Sequence, residues 1–281
     1  MFLGTGGAVP KSDRTLPAIY LEDWLGHRIM LDAGEGAQYR LMQIDVSPAS
    51  LTLVAVTHSH EDHVLGLPGL VLTSRFLGGR LKVLAPRSMH DVLRRLGVDV
   101  ADGYEEGRLR IRCVEVCHTV DACGWLLEWD VGYKLDLSKV AGLPKWALTS
   151  LIRGEPVEVG GRVVTPEEVA DPAHRRFRRL LYTGDTAPCP NMWRAVEWVD
   201  VLIHEATFAD DVDPRQAHEE GHSTVADAVE AAKALKASVL VLTHVSARYP
   251  DKERHRAYAQ AVKPPPHVYV SEDFDALLVK L

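Results

Sequence analysis

Thr57-His58-Ser59-His60-Glu61-Asp62-His63 places three imidazoles and Asp62 directly after the apolar run Leu51–Thr57, which predicts a buried strand. These polar side chains cannot all pack in a core, and a His-rich surface loop is the alternative interpretation. Neutral imidazole and carboxylate are ligands that zinc prefers. In a tight turn, His58 and His60 can face one ion while Asp62 and His63 face a second. The loop therefore predicts a two-metal site.

Composition limits the partners that we expect. The chain has 281 residues, 46% of them hydrophobic, and a formal charge of −7, so we predict a single domain over residues 1–281. Proteins that bind nucleic acid through phosphates are usually basic, so a polyanionic substrate needs a local basic patch or a metal ion. No apolar run reaches the ~18–20 residues of a membrane span, and no secretory signal is evident. We expect a cytoplasmic protein with no membrane or DNA partner.

The four cysteines predict no disulfides. They contain no C-x-x-C pair, which argues against a cysteine zinc site, and scattered free thiols in a reducing compartment are expected; these residues are Cys113, Cys117, Cys123 and Cys189.

Short apolar runs alternate with helical stretches, which favours a layered α/β fold. Several predicted strands are followed at once by His or Asp, and these groups could converge on one edge of a sheet. The Ala-rich segment Thr224–Leu235 predicts a helix capped by Ser223. Residues 130–161 carry several Gly and Pro and mixed charge, which predicts an inserted flexible arm.

Three further strand-end residues, His118, Asp185 and His244, complete a dinuclear site. We expect the first ion to be held by His58, His60 and His118. We expect the second to be held by Asp62, His63 and His244, with Asp185 bridging the two. Ions roughly 3.5–4 Å apart lower the pKa of a shared water, so that the resulting hydroxide can attack an ester or phosphodiester at neutral pH.

The T-H-x-H-x-D-H motif with its downstream ligands resembles the metallo-β-lactamase superfamily. That resemblance implies an αββα sandwich with the metals at one edge. Further motifs, in the same order along the chain, resemble the tRNase Z family of tRNA 3′-processing endonucleases; they are Phe2–Gly6, Asp32–Gly36, Gly66–Gly69, Tyr182–Thr186, His204–Phe208, Gly221–Thr224 and Leu242–Tyr249.

The resemblance implies roles for individual residues. Asp62 would orient or deprotonate the attacking water as well as bind metal. Glu205 and His222 would form a pair near the leaving oxygen, with His222 as general acid. Supporting roles are implied for two sets: Asp32 and Glu35 would hydrogen-bond ligand histidines, and Ser246 and Arg248 would hold a substrate phosphate. His204 is a structural polar residue or a member of the site.

The resemblance also implies two Zn²⁺ ions per subunit, with Mn²⁺ accepting similar ligands, a precursor tRNA substrate and a homodimer. The segment 130–161 is similar to the family's tRNA-clamping exosite around Leu143-Pro144-Lys145, but Trp146-Ala147 replace its usual Gly-Pro pair. The basic run Arg175–Arg179 is either a phosphate contact or a solvated loop.

Two other functions remain open from the sequence. The same metal site could hydrolyse small phosphodiesters, esters or lactones, which the negative net charge favours. A catalytically silent RNA-binding subunit would keep the fold without the ligands, whereas every ligand position identified here is filled.

Overall fold

The computed structural model describes residues 1–262, 265 and 267–279, apart from the side chains of residues 171–175. Its strands are β1 Phe2–Gly4, β2 Gly6–Gly7, β3 Ala18–Glu22, β4 Arg28–Leu31, β5 Leu53–Ala55, β6 Lys82–Leu84, β7 Asp99–Ala101, β8 Gly103–Glu106, β9 Leu109–Glu115, β10 Cys123–Leu135, β11 Val157–Val159, β12 Arg162–Val164, β13 Ala170–Tyr182, β14 Val201–Glu205, β15 Val239–Thr243, β16 Val245–Ser246 and β17 His267–Val270.

Its helices are α1 Ala37–Gln43, α2 Glu61–Val64, α3 Leu67–Phe76, α4 His90–Arg95, α5 Lys145–Ile152, α6 Pro166–Val169, α7 Pro190–Ala195, α8 Pro214–Glu219, α9 Val225–Ala234 and α10 Glu253–Ala261, with 3₁₀ turns at Pro48–Ser50 and Arg87–Met89. Among the helices that the structure describes, none is long and apolar enough to cross a membrane.

Two large mixed sheets form the middle of the molecule. The first has the strand order β1-β3-β4-β5-β6-β7 and the second has the order β17-β15-β14-β13-β10-β9-β8. In the first sheet β4, β5, β6 and β7 run parallel, and in the second β13, β14, β15 and β17 do so. The carboxyl ends of parallel strands share one edge, so the loops that follow them can meet there.

Side-chain alternation explains how the sheets pack. In β4, Ile29 and Leu31 point into the apolar layer between the sheets, and Met30 between them packs toward α1 and α3. In β10, Trp125 faces the same inner layer while Leu126 packs toward α7 and α9. Successive strand residues point to opposite faces, so each sheet buries both of its faces. The layers are helix, sheet, sheet, helix, which confirms the αββα expectation.

Helix α9 differs from its prediction at one end. Thr224, and not Ser223, is the N-cap: its hydroxyl accepts a hydrogen bond from the Asp227 backbone N–H, and the Asp227 carboxylate accepts one from Thr224 N. The predicted cap at Ser223 is therefore wrong. The Ser223 hydroxyl instead donates to Thr186 O at 2.6 Å, because it belongs to a loop that packs against the strand ends.

The segment predicted as an arm, residues 130–161, overlaps the end of β10 and most of the connection between β10 and β13, two long paired strands. The register of β10 and β13 runs from Trp125↔Tyr182 outward to Leu135↔Ala170, and residues 136–169 connect the outer ends. This connection contains α5, the β11–β12 hairpin and α6. It also has an apolar cluster of its own, which the sequence composition did not suggest; the buried members are Val140, Ala147, Leu151, Val157, Val164 and Val169. Its role as an inserted arm stays a prediction.

The prediction of free thiols is wrong. Cys113 is bonded to Cys123, and Cys117 to Cys189, so the described chain has no free cysteine. The absence of C-x-x-C pairs could not reveal this, because disulfide partners are selected by proximity in the fold, and Cys117 and Cys189 lie 72 residues apart in sequence.

Candidate metal centre

The ligand-rich loop takes its shape from a strand end and a single helical turn. Strand β5 is buried, His58 follows it closely, and His60 is the residue that precedes α2. Asp62 and His63 lie within α2, and although the His63 and His58 rings are only 4.1 Å apart, Nε2 of His63 faces His244 and Asp62. The heptapeptide therefore presents its side chains in two groups.

The first group consists of His58, His60, His118 and Asp185. Nδ1 of His60 lies 3.1 Å from Nε2 of His58 and 3.0 Å from Nε2 of His118. Oδ2 of Asp185 lies 3.8 Å from Nε2 of His58. One ligand atom from each of the four residues falls within 4.8 Å of the others. These residues come from loops after β5, β9 and β13, so three strand ends build this group.

The second group consists of Asp62, His63 and His244. Nε2 of His63 lies 3.3 Å from Nε2 of His244, and Oδ2 of Asp62 lies 3.6 Å and 3.4 Å from these two nitrogens. Oδ1 of Asp185 is 3.3 Å from each of the same nitrogens. Asp185 thus directs one oxygen to each group, which is the placement expected of a bridging ligand.

Burial and charge in these groups fit a divalent cation. Oδ1 of Asp185 is buried and has no hydrogen-bond partner among the residues that the structure describes. Burial, with a further effect from His63, lowers the pKa of His58 to about 2, so its ring is a neutral lone-pair donor. Burial also opposes a charge on His63, yet Asp185 and Asp32 raise the pKa of His63 well above its usual range. The carboxylates therefore favour positive charge at this point, which a divalent metal ion would supply.

Asp32 connects the site to the core. It is fully buried, and its carboxylate lies 2.7 Å from Nδ1 of His63, accepts from Thr57 N at 2.7 Å and accepts from the Tyr182 hydroxyl at 2.8 Å. A proton on Nδ1 of His63 directs the lone pair of Nε2 toward Asp62 and His244. Glu35, which was expected to act similarly, is exposed and makes no hydrogen bond to a ligand histidine among the described residues.

A carboxylate–imidazole pair lies beside the ligands. Oε1 of Glu205 is 3.0 Å from Nδ1 of His222, and Glu205 is fully buried whereas the His222 side chain is 19% exposed. Burial lowers the pKa of His222, but the Glu205 carboxylate outweighs it and raises the pKa to about 9. His222 also lies 3.8 Å from Oδ2 of Asp185. His204 is buried, and its Nδ1 lies 2.7 Å from the backbone oxygen of the next residue, Glu205.

The residues expected to hold phosphate lie on the same side as His222. The Arg248 guanidinium stacks over the Phe208 ring at 4.9 Å, and that ring meets the His222 ring edge-on at 6.2 Å. Arg248 is exposed, and its backbone N–H donates to the Ser246 hydroxyl at 3.4 Å. The guanidinium is therefore near the acid pair.

Two arginines of the basic run Arg175–Arg179 are paired with carboxylates in the fold. Arg178 donates to Asp200 at 2.9 Å, and Arg179 forms an ion pair of 2.9 Å with Glu128. The side chain of Arg175 lies outside the described residues. Since two of its arginines already have carboxylate partners, the run offers less free charge than its sequence suggests.

Sequence reasoning missed contacts that position the ligands. The Thr207 hydroxyl lies 2.7 Å from Glu205 Oε2 and 2.9 Å from Nδ1 of His244. The Ala8 backbone N–H donates to Oδ2 of Asp62 at 2.8 Å. Gly7 lies against the His244 ring so closely that a Cβ would come within 2.5 Å of it. The motifs that contain Thr207 and Tyr182 were the available signal, since Tyr182 is the last residue of β13 and Thr207 lies two residues after β14.

Comparison with known proteins agrees with this geometry. A family model described as a beta-lactamase superfamily domain matches residues 27–245. The ribonuclease Z of Pyrobaculum islandicum is 80% identical over 281 residues, covering 100% of this chain and 98% of that protein.

The chain belongs to the ribonuclease Z family.

More distant relatives extend the likeness. The ribonuclease Z of Sulfurisphaera tokodaii is 36% identical over 267 residues, covering 89% of this chain and 88% of that protein. The crystal structure of the short form of human tRNase Z has a TM-score of 0.67 at 22% identity, covers 100% of this chain and 99% of that one, and shows the shared fold. The family resemblance drawn from the motifs is therefore confirmed, and a ribonuclease Z is an enzyme of the metallo-β-lactamase fold.

Proposed function

We propose that this protein is a zinc-dependent endoribonuclease that removes the 3′ trailer of precursor tRNA and leaves a 3′-hydroxyl. The observation that carries the proposal is the convergence of two ligand groups on Asp185, with the Glu205–His222 pair directly beside them. Membership of the ribonuclease Z family supports precursor tRNA as the substrate. The histidine and aspartate ligands support metal-dependent hydrolysis.

The residues of the two groups would hold one Zn²⁺ each, bridged by Asp185. When bound, such a pair of ions activates a water for attack on phosphorus and neutralises the charge that develops on the phosphate. The protein holds the ligands in place beforehand: Asp32 orients His63, and Thr207 orients His244. Mn²⁺ prefers harder ligands but accepts a similar set. Asp62, fixed by the Ala8 N–H, would orient the attacking water.

His222 would protonate the departing 3′-oxygen. Its Nδ1 is engaged by Glu205, which leaves Nε2 as the ring nitrogen that can deliver a proton. The raised pKa keeps that proton on the ring at neutral pH, and the partial exposure of the side chain allows a substrate to reach it. Arg248, with Ser246, would hold a neighbouring phosphate.

The connection between β10 and β13 would contact the body of the tRNA. Trp146 at the start of α5 is 58% exposed, and such a ring can stack on a base or ribose. The predicted arm is only lightly basic, because Lys134, Lys139, Lys145 and Arg153 are set against Asp130, Asp136 and Glu155. A precursor tRNA substrate also favours a cytoplasmic location.

A homodimer is proposed from an apolar surface on the outer helices. Tyr39 and Met42 of α1 are exposed beside Leu72 and Phe76 of α3, and the two helices pack against each other. Phe76 is 82% exposed, which is unusual for so large an apolar side chain. A second subunit would cover this surface.

The decisive experiment compares a 3′-extended tRNA with a small diester, bis(p-nitrophenyl) phosphate, each with and without a chelator. The proposal expects metal-dependent cleavage just past the acceptor stem and a product with a 3′-hydroxyl. Brisk hydrolysis of the small diester without cleavage of the tRNA would instead establish a small-molecule hydrolase. Binding of tRNA without cleavage of either substrate would establish a silent RNA-binding subunit.

A further inference from the structure

The disulfide between Cys117 and Cys189 joins the two loops that supply His118 and Asp185. Cys117 immediately precedes His118, and Cys189 follows Asp185 by four residues at the start of α7. The Cα atoms of the two cysteines are 5.3 Å apart, although 72 residues separate them in sequence. The bond is therefore a direct covalent link between two ligand-bearing segments.

The sheet alone does not hold these segments together. Strand β10 lies between β9 and β13, and neighbouring strands are about 4.8 Å apart, so β9 and β13 are separated by roughly 10 Å. Their following loops converge only beyond Cys123, the first residue of β10. Apart from the disulfide, the contacts that bring them together include a hydrogen bond from Ala187 N to Cys117 O at 2.7 Å and one from Cys117 N to the Thr186 hydroxyl at 3.0 Å.

The second disulfide, Cys113–Cys123, does not join two ligand-bearing loops. It connects β9 and β10, adjacent strands that already share a ladder in which Trp125 lies opposite Cys113. Neither cysteine is next to a ligand. Cys123 contacts the ligand loop through its backbone N–H, which donates to Thr57 O at 2.8 Å. Replacing the Cys123 side chain leaves this hydrogen bond in place.

We propose that the Cys117–Cys189 disulfide positions His118 relative to Asp185 and thereby sets the affinity for the ion held by His58, His60, His118 and Asp185. This inference rests on the two-ion centre proposed above. A ligand set that is already in place binds an ion without the cost of ordering two loops. The ligands of the other ion are Asp62, His63 and His244, and of the two segments that the disulfide joins only Asp185 contacts them. Loss of the disulfide should therefore lower the affinity for that ion much less.

The test compares two double variants, Cys117→Ala/Cys189→Ala and the matched control Cys113→Ala/Cys123→Ala. Zn²⁺ is titrated into each metal-free protein in competition with a chromogenic chelator, at a temperature where circular dichroism shows all proteins folded. We expect the first variant to bind one of its two ions on the order of 10- to 100-fold more weakly, the range seen when groups that orient ligands are lost. The control should keep both wild-type affinities.

Several outcomes would overturn the inference. Unchanged affinities in the first variant, or equal losses in both variants, would show that the disulfide has no specific positioning role. Free thiols in denatured wild-type protein purified without reductant would show that the bond does not form. Failure of the wild-type protein to bind two ions would refute the two-ion centre itself, a result distinct from the others.

Discussion

Thr207 and His244 are joined by a contact of 2.9 Å between the threonine hydroxyl and Nδ1 of the ring. A hydroxyl has one proton, and the shorter contact of 2.7 Å to Oε2 of Glu205 shows where it goes. The hydroxyl therefore donates to Glu205 and accepts from His244, which fixes the proton of His244 on Nδ1. Nε2 of His244 is left with its lone pair facing Asp62 and Asp185.

Replacing Thr207 with Val should weaken the ion held by Asp62, His63 and His244 on the order of 10- to 100-fold, because valine keeps the shape but loses the hydroxyl. Thr207→Ser keeps the hydroxyl and should bind that ion nearly as well as the wild type. Competition titration with Zn²⁺ measures both affinities. Unchanged affinity in Thr207→Val, or a loss in Thr207→Ser as large as that in Thr207→Val, would contradict the role assigned to the hydroxyl.

Replacing His222 with Ala should lower kcat for 3′-extended tRNA by about 10²- to 10⁴-fold, because the leaving oxygen loses its proton donor. Both ions should stay bound, which metal analysis after gel filtration would check. Glu205→Gln should give a smaller loss, since the imidazole remains. If His222→Ala releases an ion, His222 is a ligand, as its 3.8 Å distance from Asp185 would allow.

His255 predicts an acid-sensitive stability. It is fully buried with Nε2 2.9 Å from Ala206 O, and burial lowers its pKa to about 4 from an ordinary value of 6.5. The unfolded chain binds a proton between these values while the folded chain does not. This contribution to stability is therefore complete above pH 6.5 and is lost as pH falls toward 4, by about 3 kcal/mol in all.

His255→Gln keeps a donor for Ala206 O but cannot titrate. Its free energy of unfolding, measured with guanidinium at pH 7, 6 and 5, should fall less steeply than that of the wild type. Parallel slopes for the two proteins would contradict the assignment.

Removing residues 136–169 and joining Leu135 to Ala170 by a short glycine turn tests the proposed tRNA contact. These two residues are paired across β10 and β13, so the strands can close without the connection. We expect KM for 3′-extended tRNA to rise at least about tenfold, equivalent to ~1.4 kcal/mol of binding, with hydrolysis of a small diester unchanged. Equal losses on both substrates would refute an exosite role.

Phe76→Asp tests the proposed dimer surface. A charge buried in the proposed apolar interface is costly, so sedimentation at micromolar concentration should show the variant as a monomer and the wild type as a dimer. Val92→Asp, at an exposed apolar residue on α4, is the matched control and should leave the dimer intact. A wild-type monomer would contradict the proposal directly.

The sequence was sufficient to predict those site residues that lie directly after an apolar strand. Asp185 and His244 each follow a buried parallel strand, and the rule that such strand ends share an edge was enough to bring them together. Glu35 was assigned by motif alone, and the structure leaves it in solvent, because the turn after Asp32 directs only the aspartate inward. The pairing of Cys117 with Cys189 depends on how loops cross the end of β10, and no local pattern records that. Thr207 was overlooked since a threonine after a strand has no distinctive signature until its neighbours are known.

The ligands come from both halves of the chain, and this determines when the centre can form during synthesis. His63 and His244 face each other across 181 residues, so roughly 10–40 s of translation separate their appearance at ordinary elongation rates. A nascent chain that has folded only its first sheet holds His58, His60, Asp62 and His63 without the remaining ligands. Each proposed ion therefore lacks part of its ligand set at that stage. Nuclease activity cannot begin until the last parallel strands have joined the second sheet.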